Sequence, residues 1–108
     1  MNQERTVGSV RIGSVDYEIC DDIGLLGEGC SGHVNHNILK IRLAPFLNRQ
    51  SRAFILMHEI VHAIVFGHGA NGGDLDEEKL ANIMASGFLG LIRDNPEFIK
   101  ELESLFGR

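Results

Sequence analysis

The sequence has little basic charge to spare. Ten Lys+Arg stand against 15 Asp+Glu, for a formal net charge of −5. No strongly basic footprint for a nucleic-acid backbone is present, so no direct nucleic-acid partner is expected. Cysteine is nearly absent: Cys20 and Cys30 are too few for a disulfide framework, and no CxxC pair offers a cysteine zinc site. The expected state is free thiols in a reducing cytoplasm. The opening MNQERTVGSV has no apolar h-region, so no secretory signal is expected. The longest uncharged run in the helical half, after Glu59, is broken by two histidines and several glycines. It is too short to span a bilayer, and no membrane partner is expected.

What remains is ordinary globular composition, with 44% hydrophobic and 23% charged residues in 108. That length suits a single domain over 1–108. Periodicity divides it into strands and loops over 1–47 and a helical part over 48–108. Val15, Tyr17 and Ile19 alternate with Asp16 and Glu18, the period of a half-buried strand. The β-branched stretch from Val7 to Ile12 precedes it, and Gly13-Ser14 is a hairpin-length link. Leu39, Ile41 and Leu43 give a third strand. The glycine-rich segment before it reads as a loop with at most one helical turn.

Asn48 is placed to cap a helix from about Arg49 to Phe66, whose second half is apolar nearly all round and so is expected at the centre of the protein. Asp74 or Asp76 caps a second helix to about Arg93. Asn95-Pro96 opens a third to about Phe106.

The first of these helices contains HEIVH. His58 and His62, four residues apart, share one face and can grip one ion. Glu59 lies on the adjoining flank, suited to a water on that ion. This is the pattern of a zinc hydrolase, with two imidazoles as ligands and the glutamate as general base. A third protein ligand is needed. Glu78 on the next helix is one candidate, with Asn82 on the same face to hydrogen-bond a ligand. Glu77 is its neighbour. His68 is another, six residues after His62, although the glycine that would turn it back is Gly67 rather than residue 65. His68 otherwise sits past the helix C-terminus, where an imidazole suits the dipole. His33 and His36 lie in the glycine-rich loop before the third strand, where nothing in the sequence requires them as ligands, and Tyr17 reads as strand packing rather than an oxyanion donor.

HEIVHAI followed by EKLAN and MA resembles the ImmA/IrrE-type zinc metallopeptidases, small gluzincins carried by phages and other mobile elements. The resemblance is firm over about residues 54–95. His58, Glu59 and His62 match the HExxH motif, and Glu78, Ala81 and Asn82 match ExxAN. The resemblance implies Glu78 as the third ligand of Zn²⁺. It also implies an α+β, zincin-like fold: a small three-stranded sheet packed on a buried HExxH helix, plus one or two C-terminal helices. The edge strand of that sheet, expected at residues 38–43, would line the cleft. The function implied is a zinc-dependent endopeptidase acting on a protein or peptide, of repressor type in known relatives. The alternative is a metal-binding but catalytically silent interaction module.

Overall fold

The computed structural model describes residues 3–69 and 76–105. The chain is α+β, with a four-stranded mixed sheet. Strands β1 (Glu4–Ile12) and β2 (Val15–Asp22) form the expected hairpin, with Ile12 opposite Val15 across Gly13-Ser14. Gly13 takes φ 63, as the first central position of a type II′ link requires. Residues 21–37 hold the one short helical turn that the loop reading allowed, α1 (Gly24–Glu28), but also a fourth strand that it did not, β3 (Gly32–Asn35). Strand β4 (Lys40–Leu43) returns antiparallel to β3 and lies parallel to β2, so the order is β1-β2-β4-β3.

The sheet therefore has four strands, not three, and the strand expected at the edge is internal. Ile41 and Leu43 are fully buried because β4 is flanked on both sides. The edge on that side is β3. Its pairing was hidden because GHVN is only four residues long and begins with a glycine that weakens the alternation signal.

The two sheet faces divide by side-chain alternation. Val10, Ile12, Tyr17, Ile19, Ile41 and Leu43 turn inward and meet Leu56, Ile60, Ala63 and Ile64 of helix α2 (Arg49–Gly67). The other face carries a lattice of charges: Lys40 reaches Glu4 at 2.7 Å and Arg42 reaches Asp22 at 2.9 Å. Helix α2 begins where Asn48 accepts a hydrogen bond from the Ser51 N–H through its side chain.

Helix α3 (Glu77–Asp94) is capped by Asp76, whose carboxylate accepts from the Lys79 N–H. The other candidate cap, Asp74, lies outside the described residues, as does Phe106. Helix α3 meets α2 at Gly87, where a β-carbon would come within 2.5 Å of Ile64 Cγ2. Helix α4 (Pro96–Ser104) starts with proline in its first turn. Asn95 makes no side-chain capping bond there. Its buried amide instead joins three backbone groups, accepting from the Arg11 N–H (2.6 Å) and donating to the carbonyls of Arg11 (2.8 Å) and Leu91 (2.9 Å). Among the described residues, no helix is long and apolar enough to cross a membrane.

Candidate functional site

Helix α2 is not buried all round, contrary to the expectation from its composition. Its inner face is the core; its outer face carries Phe54, His58, His62 and Phe66, all exposed, at four-residue intervals. Four residues is slightly more than one turn, so these rings form a row along the helix. Phe54 is 69% exposed and Phe66 53%, so apolarity alone misplaced them. The buried side of α2 needs only the positions that meet the sheet.

Within that row the imidazoles of His58 and His62 approach each other. Their ring centroids are 4.8 Å apart and their Nε2 atoms 3.3 Å apart. Two nitrogens bound tetrahedrally to zinc at about 2.0–2.1 Å would be separated by about 3.3–3.4 Å. The pair thus fits one edge of a zinc coordination shell without rearrangement.

Glu59, one residue along, turns to the opposite flank and is 8% exposed. It lies under the edge strand: a β-carbon on Gly32 would stand 3.4 Å from Glu59 Oε2. The glycine lets the strand backbone come close to the carboxylate. The motif therefore brings together two open imidazoles and a sheltered acid.

The third donor is not gathered with them. Glu78 is exposed in the first turn of α3, with Glu77 beside it, and Asn82 is exposed one turn later. The contact between α3 and α2 lies at Gly87, nine residues beyond Glu78. At 1.5 Å per residue this is about 13 Å along the helix axis. Among the described residues, no group of three or more His, Cys, Asp and Glu side chains stands close enough to hold a metal ion. His68 follows α2 as its C-cap residue, and its Nδ1–H donates to the Ile64 carbonyl at 2.9 Å. That bond commits one ring nitrogen to the helix end, in line with the sequence expectation for this residue.

His36 was legible only as a loop histidine. Alternation along β3 turns Gly32 and Val34 toward α2, and continuing it by one step brings His36 to the same side. Its ring lies flat on Phe66, with centroids 4.1 Å apart and planes 3° from parallel. Its Nδ1 is 3.0 Å from the Tyr17 hydroxyl. Tyr17 is a core residue, as expected from its strand position, and burial raises the pKa of its phenol. Burial also lowers the pKa of His36, with smaller contributions in the same direction from His62 and His33 and an opposing one from Glu59. His33 is exposed on β3.

Beyond Phe66 a cavity of about 330 Å³ opens between the β1–β2 turn and the meeting of α2 with α3, with Tyr17, Leu39, Ile64 and Gly87 among its walls. Compared with protein-family models, curated proteins and solved structures, the chain matches none.

Proposed function

We propose that this chain is a zinc-dependent endopeptidase of zincin-like build, similar to the ImmA/IrrE-type metallopeptidases. The observation that supports it is the His58–His62 pair, spaced at 3.3 Å like two corners of a tetrahedral ligand shell, with the acid of the same motif sheltered beside it. His58 and His62 would hold the metal; Glu78, which stands apart from them in this structure, would complete the set only if the first turn of α3 moved toward α2, and Asn82 would then hydrogen-bond a ligand. A bound zinc ion lowers the pKa of a water to about 7 and polarises a carbonyl.

Glu59 takes the proton of the attacking water and delivers it to the departing amide nitrogen. Its position between α2 and β3 suits this role, because an extended peptide paired to the free edge of β3 would run past it. The edge strand in this proposal is β3 rather than residues 38–43. The substrate is a protein or peptide in the cytoplasm, of the repressor type that the resemblance implies.

The test is elemental analysis of untagged protein purified without added metal, expected to give about one zinc per chain. His58→Ala and Glu78→Ala should each lower that content, and Glu77→Ala should leave it unchanged. A metal-free wild-type chain would overturn the proposal.

The exposed position of Glu78 favours a second reading, a metal-binding but catalytically silent interaction module. Stoichiometric zinc without cleavage of any peptide in a broad fluorogenic library would support it over the first.

A further inference from the structure

We propose that the cavity beyond Phe66 is a binding site for a small neutral molecule, one with an apolar body and a primary amide at its end. This goes beyond the peptidase reading and does not depend on it, because His58, Glu59 and His62 are not among the walls of the cavity.

The cavity has an apolar floor and an open rim. Ile12, Tyr17 and Ile64 form the floor, and all three are buried. Val15, Phe66 and Arg93 stand at the rim and are exposed. Its volume of about 330 Å³ lies at the lower end of what small ligands occupy, about 300–1,000 Å³. Removing an apolar body from water onto such a floor is favourable. Backbone conformation shapes the space. Gly90 leaves its wall of α3 open, since a β-carbon there would meet no atom closer than Arg93 Nη2 at 3.5 Å. Leu39 lines the opposite side from a left-handed backbone, φ 55. A leucine is strained in that conformation, and strain of this kind gathers where ligands are held.

The ligand class follows from a cluster of polar groups on the helical side. His68 comes from the end of α2, and Ser86, Arg93 and Asp94 come from α3. Arg93 donates to the Asp94 carboxylate through Nε at 2.8 Å and Nη2 at 3.0 Å. The two charges cancel, so neither a carboxylate nor an ammonium is drawn in. His68 Nδ1 is 2.9 Å from the Ile64 carbonyl. A carbonyl can only accept, so Nδ1 carries the hydrogen, and the neutral ring keeps a lone pair on Nε2. That lone pair requires a donor from the ligand. The Ser86 hydroxyl can donate to an acceptor. A primary amide meets both needs without charge, its N–H to His68 and its carbonyl to Ser86.

The full chain is titrated in mildly alkaline buffer with hydrocinnamamide, a phenyl ring on a short arm that ends in the amide, and followed by methyl NMR. Signals of Ile12, Leu39 and Ile64 should shift together, while that of Leu102 on α4 stays. Two analogues keep the body and change the end: hydrocinnamate carries a carboxylate, and benzylacetone has a methyl in place of the amide nitrogen. Each should bind about tenfold more weakly, the effect of one hydrogen bond left unmade. Gly90→Leu fills the cavity from a position that accepts a side chain and should abolish binding. His68→Phe should bind the amide and benzylacetone equally. Should either variant fail to fold, the three compounds on the wild type decide the matter. Floor methyls that ignore hydrocinnamamide, a carboxylate or ketone bound as tightly as the amide, or full binding by folded Gly90→Leu would each overturn the proposal. An amide preference that survives in His68→Phe would overturn the recognition by His68 and with it the ligand class. No metal enters this titration, so a chain that takes up no zinc would overturn the peptidase reading and leave the cavity site standing.

Discussion

Gly32 faces Ile55 across the junction of β3 and α2, beside Glu59, with room for a hydrogen but not for a methyl group. A β-carbon at Gly32 would sit 3.4 Å from Glu59 Oε2 and 2.5 Å from Ile55 Cγ2. The isoleucine methyl is fixed to a branched carbon and cannot swing aside. Gly32→Ala should therefore push the edge strand off the helix, at a cost of about 1–3 kcal/mol. Urea unfolding measures it. Gly27→Ala, in α1 where a β-carbon meets nothing within 4 Å, is the control and should be neutral or stabilising by up to about 1 kcal/mol.

Glu59→Gln tests the base. The amide keeps the shape of the side chain but cannot take a proton. Hydrolysis of a fluorogenic peptide library should fall by about 10²–10⁴, with zinc content unchanged. Undiminished cleavage would remove Glu59 from the mechanism.

Gly87→Ala sets two effects against each other. Alanine in a helix interior is favoured over glycine by about 1 kcal/mol. Here the added methyl would meet Ile64 Cγ2 at 2.5 Å and Cδ1 at 3.1 Å. Overpacking of about 1–3 kcal/mol should prevail, giving net destabilisation. In the Ile64→Ala background the same change should become neutral or stabilising, a coupling that a double-mutant cycle reads directly.

Asp22 provides the pH dependence. A hydrogen bond from Arg42 and then one from the Gly24 N–H hold its carboxyl below the ordinary 3.8. A depressed folded-state pKa means the unfolded chain binds the proton more readily. The stabilisation is then complete above the ordinary value and is lost as pH falls through the lowered one. Asp22→Asn should cost about 1–3 kcal/mol at pH 7, and the gap from wild type should close below pH 3.8. Melting curves between pH 7 and 2 measure it.

Asn95→Ala would strip partners from three backbone groups at once. A loss of about 2 kcal/mol is expected, or roughly 10 °C in melting temperature for a chain of this size.

Local signals carried much of the fold. Gly13-Ser14 marked the hairpin, Asn48 marked one helix start, Asp76 was one of two candidate caps for the next, and Pro96 marked the last helix; each acts through a bond or dihedral within a few residues. What failed was non-local. No pattern within GHVN reveals that it pairs with KIRL, or that β4 is thereby moved inside the sheet. Phe54 and Phe66 are as apolar as any core residue, and only the position of the sheet decides that they face outward. The same holds for the site. The spacing of His58 and His62 was legible because a helix enforces it. The nearness of His36 depends on a strand pairing, and the exposure of Glu78 on where two helices touch.

The clasp that Asn95 makes on Arg11 spans 84 positions of the chain. A growing polypeptide leaving the ribosome must hold its first hairpin without that fastening until residue 95 has emerged, so a synthesis intermediate would display the hairpin and the motif helix well before the completed domain exists.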